Sequence, residues 1–156
     1  MGNDDQRRYA YDVSLRIINA SPQTEKNLRE KLRKKEFTDG VISEVLKDLK
    51  EQGYIDDYKN GLSYVLSLTG RKYYGKNYAR KKLAERGIDR DTTEEILSYL
   101  ETTDYDETES VAKYLEKIGF VKTENATHTE YQKISSKLFN RGFSPESIRK
   151  ALKKEF

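Results

Sequence analysis

The sequence has no cysteine and no tryptophan, one histidine and two prolines. Without cysteine there is no disulfide, no thiolate nucleophile and no cysteine-ligated zinc, and the chain suits a reducing cytosol. A single histidine, His128, cannot build a histidine metal site by itself. Nor do Ser63, Ser67 and His128 form a recognisable triad. There is no phosphate-binding glycine loop and no nucleophile elbow. No apolar run approaches the ~18 residues of a membrane span, and the opening MGNDDQRR does not read as a signal peptide. The expectation is a cytoplasmic, non-enzymatic monomer with no membrane association, no metal and no cofactor.

Apolar side chains are also scarce: 35% of 156 residues, against 37% charged. A compact sphere of this size uses more apolar residues, so a thin body with high surface per residue fits better. Disorder is the competing reading of so polar a chain. Seventeen aromatics, 12 Tyr and 5 Phe, and strongly periodic apolar positions argue against it.

What is present is a repeated phrase. The chain reads KLRKKEF at 31–37, KLAERGI at 82–88 and KLFNRGF at 137–143. Aligned on Phe37, Ile88 and Phe143, the position five residues earlier holds Leu32, Leu83 and Leu138. Nine earlier stand Leu28, Ala79 and Ile134; nine later, Leu46, Leu97 and Leu152. Five later stand Ile42, Thr93 and Ile148, with Thr93 the exception. Two helices meeting at a tight turn explain such spacing. Gly87 and Gly142 supply the left-handed residue that ends a helix, and Glu36 occupies that place in the first copy. A non-glycine there costs on the order of 1 kcal/mol unless the turn differs. Ser144-Pro145 marks a helix start. Asp91-Thr92-Thr93-Glu94 resembles a capping box, and the paired Asp56-Asp57 reads as helix capping in preference to acid–base catalysis.

The spacing predicts nine helices, near 7–20, 24–35, 39–52, 57–69, 75–86, 91–102, 106–118, 128–141 and 145–155. Segment 119–127 is the least patterned linker and the expected site of mobility. No period-2 run suggests a strand. The fold class expected is all-α: three tandem three-helix repeats, 7–53, 54–103 and 104–156, stacked into an elongated, curved helical array.

Charge is segregated along the chain. Residues 21–35 hold six Lys/Arg and two Glu; 71–86 hold seven and one; 131–143 hold three and none. Residues 89–110 hold nine Asp/Glu and one Arg. Every second helix is therefore basic. In a solenoid, equivalent helices face equivalent directions, so their cations would line one side. The candidate binding residues are Arg29, Arg33, Lys34, Arg71, Lys72, Tyr74, Lys76, Arg80, Lys81, Lys82, Lys133, Lys137 and Arg141. Tyrosines among cations can stack on bases or anchor a protein interface. The alternative is a solvated helix face with tyrosines reaching out of the seam.

The run Gly53-Tyr54-Ile55-Asp56-Asp57, then Tyr64-Val65, Gly75 and Leu83-x-x-x-Gly87-Ile88, resembles the hallmark stretch of the bacterial RecX regulatory proteins. Thr24-Glu25-x-x-Leu28-Arg29-x-Lys31-Leu32 resembles that family's opening repeat. The resemblance covers about residues 8–156. It implies a helical array that lodges in the groove of the RecA–DNA filament, with DNA itself a weaker ligand. It also implies inhibition of ATP turnover, strand exchange and the SOS coprotease activity. The chain departs from the family pattern at Asn60-Gly61, where an aromatic and an alanine are usual, and at Leu66-Ser67-Leu68, where an arginine is. Two other readings stay open: a sequence-independent DNA-binding helical protein, and an α-solenoid scaffold docking through 89–110.

Overall fold

A computed structural model describes residues 2–121 and 126–153. Among the described residues there are nine α-helices and no strand: α1 (Asn3–Ala20), α2 (Glu25–Lys34), α3 (Asp39–Glu51), α4 (Asp57–Leu66), α5 (Lys76–Glu85), α6 (Arg90–Glu101), α7 (Glu107–Lys117), α8 (His128–Asn140) and α9 (Pro145–Lys153). A π-helical turn, Ser67–Arg71, prolongs α4. Part of the linker read as mobile, 122–125, lies outside the described residues.

Most helices start on a side-chain cap. Thr24, Thr38, Asp56, Asp89, Asp106 and Thr127 each accept a backbone N–H from the first turn of the helix they precede, and Ser144 Oγ accepts from the Ser147 N–H. Two expectations shift here. The cap of α6 is Asp89, not Asp91, which lies inside the first turn as a favourable charge at the helix N-terminus. And α1 opens at Asn3, four residues before the predicted start, with Asp4 and Asp5 in its first turn.

The phrase ending at the anchor is a Schellman stop in all three copies. Phe37, Ile88 and Phe143 donate their N–H back to Leu32, Leu83 and Leu138, and Glu36, Gly87 and Gly142 donate to Arg33, Ala84 and Phe139. The φ angles of Glu36, Gly87 and Gly142 are 67°, 80° and 95°. Glu36 thus makes the same turn as the glycines.

Three apolar clusters follow, one per helix triplet. The first gathers Leu28, Leu32, Phe37, Ile42, Leu46 and Leu49. The second gathers Val65, Ala79, Leu83, Ile88, Ile96 and Leu100. The third gathers Val111, Leu138, Phe143, Ile148 and Leu152. Thr93, the exception in its column, is buried among them, 4% exposed. At Gly61, one departure from the family pattern, a Cβ would lie 2.6 Å from Ile96 Cδ1, so α4 seats closely on α6 and an alanine there requires the Ile96 side-chain end to shift. The chain exposes 10177 Å². A compact monomer of 18.2 kDa exposes about 8,100 Å². The excess is what an elongated array of small cores requires.

The triplets join by one recurring contact. At the first junction the start of α2 meets the α5–α6 turn: Thr24 Oγ1 donates to the Arg86 carbonyl, and a Cβ on Gly87 would strike Lys26. At the second, the start of α5 meets the α8–α9 turn. There Gly75 and Asn77 donate N–H groups to the Arg141 and Gly142 carbonyls, and a Cβ on Gly142 would lie 2.3 Å from the Tyr78 nitrogen. Glycine in these turns therefore serves the left-handed conformation and also the approach of the preceding triplet. The Glu36 turn meets no such neighbour among the described residues, and Glu36 is exposed to solvent.

Candidate interaction surface

One contact relates each triplet to the next, and equivalent positions of the repeated phrase recur from triplet to triplet. Lys31, Lys82 and Lys137, the opening residue of each repeated phrase, occupy the same register on α2, α5 and α8. Each lies one residue before the buried Leu32, Leu83 or Leu138, on the flank of the apolar seam. Lys31 and Lys137 are exposed and among the described residues have no carboxylate within 4 Å; Lys82 pairs with Glu85 at 3.0 Å. That hydrogen bond to Glu85 holds the Lys82 ammonium above its ordinary range.

The remaining candidates divide into three groups. Arg29 pairs with Glu25 at 3.3 Å and Arg33 with Asp39 at 3.2 Å. Arg80 pairs with Glu94 at 2.9 Å and Lys76 with Glu101 at 2.7 Å. Glu94 and Glu101 are consequently held below the usual carboxylate range by their cationic partners. The acidic 89–110 segment thus neutralises part of α5. Such exposed pairs are worth about 0–1 kcal/mol and open readily to a stronger partner.

Lys34, Arg71, Lys72, Lys81 and Lys133 form the second group. They are exposed, and among the described residues none has a carboxylate within 4 Å. Lys31 and Lys137 share this state among the described residues.

Tyr74 and Arg141 form the third group, which the fold itself uses. Tyr74 stacks on Tyr78 with centroids 4.0 Å apart, and the Arg141 guanidinium covers it at 4.0 Å. Both faces are taken, so Tyr74 offers no platform for a base. Arg141 is sandwiched between Tyr74 and Tyr114, 4.1 Å from the latter ring. It also donates to the Tyr73 carbonyl at 2.9 Å and to the Lys72 carbonyl. It staples the π turn and the start of α5 to the third triplet.

Arg86 is absent from the residues chosen by charge. It stands two residues before Ile88, as Arg141 stands two before Phe143, and its guanidinium lies 3.4 Å over the Tyr64 ring. The repeat register points to it; charge counting does not. Among the described residues no carboxylate or histidine cluster could hold a metal, and no helix is long and apolar enough to cross a membrane.

These features define a class: an all-helical tandem-repeat protein that repeats a lysine at one register and commits Tyr74 and Tyr114 to a joint between its triplets. Residues 10–49 match the family model described as RecX, first three-helix domain. The "Regulatory protein RecX" of Chlorobium phaeobacteroides (strain BS1) is 30% identical over 156 residues, covering 100% of this chain and 99% of that protein. The "Regulatory protein RecX" of Clostridioides difficile (strain 630) is 31% identical over 153 residues, 97% of this chain and 70% of that one. The crystal structure of RecX from Lactobacillus salivarius superimposes with a TM-score of 0.86, covers 97% of both chains and shares 24% identity. It agrees with the fold. The chain belongs to the RecX family of regulatory proteins.

Proposed function

We propose that this chain is a non-catalytic regulator that binds RecA–DNA filaments and restrains their ATP turnover, strand exchange and SOS coprotease activity. The carrying observation is the lysine at one register in every repeat, Lys31, Lys82 and Lys137. A helical filament offers the same surface at regular intervals. An array that repeats one cation at its own regular interval can engage several subunits or phosphates, and weak contacts then add through effective concentration. The units doing so are delimited near 7–53, 54–103 and 104–156. The candidate contacts are Lys31, Lys34, Arg71, Lys72, Lys81, Lys82, Lys133 and Lys137. Arg29, Arg33, Lys76 and Arg80 become available as their exposed ion pairs open. The test is RecA's DNA-dependent ATP hydrolysis and strand exchange with the chain added at stoichiometric to excess amounts. Both should fall; unchanged rates would refute the proposal.

The unpaired cations also favour a second reading, a sequence-independent DNA-binding protein. Neutralising about six phosphates would weaken binding roughly 10³-fold between 50 and 200 mM salt. Tighter binding to RecA–DNA filaments than to bare DNA supports the first reading; equal binding supports the second. Docking through 89–110 loses ground, because Asp89 and Asp106 are helix caps and Glu107 accepts from the Lys76 N–H.

A further inference from the structure

The two-helix groove recurs in all three triplets, but its chemistry changes in the last. Eight, four and minus two residues from the anchor, the first triplet places Arg29, Arg33 and Asp39, and the second places Arg80, Ala84 and Arg90. In those two the groove is bridged from within the chain, by Arg33–Asp39 and by Arg80–Glu94. In the third the equivalent residues are Ser135, Phe139 and Pro145, and Arg149 stands where Glu94 stands. Among the described residues no ion pair bridges it. An open groove of about 490 Å³ lies between α8 and α9, lined chiefly by Tyr131, Ser135, Phe139, Pro145, Ile148 and Arg149.

Phe139 is 57% exposed. A partner that covers the exposed part of the ring gains the burial that the fold leaves unmade. Among the described residues no carboxylate lines the groove, and Arg149 is exposed without a carboxylate within 4 Å. The surrounding segment 128–153 carries Lys133, Lys137, Arg141, Arg149, Lys150 and Lys153 against only Glu130 and Glu146. An apolar cleft with one cation at its lip, set in a cationic unit, complements one kind of occupant.

We propose that the α8–α9 groove docks an acidic protein segment, whose large apolar side chain covers Phe139 while a neighbouring carboxylate pairs with Arg149. This site is separate from the lysine row and does not depend on filament binding. The other two grooves serve as internal controls: each carries an internal ion pair, and the second, open at about 640 Å³, presents Ala84 and Glu94 where the third presents Phe139 and Arg149.

The test is selection of a random-peptide phage library on the immobilised full chain, counter-selected on a Phe139→Ser/Arg149→Glu double variant of verified helicity. Enriched peptides should carry Asp or Glu beside Phe, Trp or Leu. As synthetic peptides they should bind either single variant about tenfold or more weakly than the unaltered chain. Should the double variant lose helicity, Arg149→Glu alone, at an exposed position, carries the comparison. Peptides that lack acid, that bind the variants equally, or that fail to enrich would overturn the proposal. So would self-association of the chain that Phe139→Ser abolishes in sedimentation, which would assign the groove to a second copy.

Discussion

The Asp57 carboxylate, first residue of α4, accepts a hydrogen bond from the Glu25 N–H, first residue of α2, at 3.1 Å. Fifty residues on, Glu107 at the start of α7 does the same for the Lys76 N–H of α5 at 3.2 Å, and its other oxygen accepts from the Ser144 N–H at 2.7 Å. An acidic residue that opens one triplet therefore caps the second helix of the triplet before it. Asp56 caps its own helix through the Lys59 N–H, so the paired carboxylates have divided the work: one is local, the other ties the repeats together.

Asp57→Ala should lower stability by about 1 kcal/mol through loss of this cap, read as a shifted urea midpoint. Asp57→Asn keeps the acceptor and should cost little. Burial holds the Asp57 carboxyl above its ordinary range, outweighing the Glu25 hydrogen bond that pulls it down. The folded state thus retains the proton longer than the unfolded state. The Asp57 contribution is most favourable below the unfolded pKa and declines as pH rises through the folded one. Relative to Asp57→Asn, the unaltered chain should lose stability over that interval, measured by urea unfolding across the acid range.

Gly142→Ala places a side chain at φ 95° against the Tyr78 backbone. Strain plus overpacking should cost about 2–4 kcal/mol. Gly87→Ala meets the Lys26 side chain instead, part of which can swing aside, and should cost less. Glu36→Gly relieves a left-handed non-glycine in the open turn and should stabilise by up to about 1 kcal/mol. Thermal unfolding of the three variants checks the order.

Arg141→Met removes the donors to the Lys72 and Tyr73 carbonyls and the charge between Tyr74 and Tyr114. It should destabilise by about 1–3 kcal/mol, even though its charge suggests a ligand contact. Lys81→Glu and Lys133→Glu, exposed and unpaired, should leave the midpoint within about 0.5 kcal/mol. Equal effects from all three would show that Arg141 is not the staple described.

Much of this was legible in the sequence because the repeat writes it in local terms. Leucine spacing, the glycine turn and the Ser144-Pro145 start each concern residues a few positions apart. The α6 cap was misplaced by two residues because Asp89 and Asp91 both precede a polar turn, and only the backbone selects between them. The π turn at Ser67–Arg71 has no comparable signature. The candidate surface was less legible. Charge counts locate basic helices but cannot see that Glu94 and Glu101 lie across from Arg80 and Lys76. Nor can they see that Arg141, equal in charge to its neighbours, points into a joint. Those facts depend on helix pairing over long sequence separations. The same holds for Glu36: that its turn stays exposed while the Gly87 and Gly142 turns meet a neighbouring helix is not recorded in the turn's own residues.

The direct measurement for the lysine row is RecA's DNA-dependent ATP hydrolysis titrated with the unaltered chain and with a Lys31→Glu/Lys82→Glu/Lys137→Glu variant of matched helicity and melting. The unaltered chain should suppress hydrolysis, with suppression fading as salt rises; the variant should require at least tenfold more protein for the same effect. Equal suppression by both, insensitive to salt, would contradict the assignment of this row to filament binding.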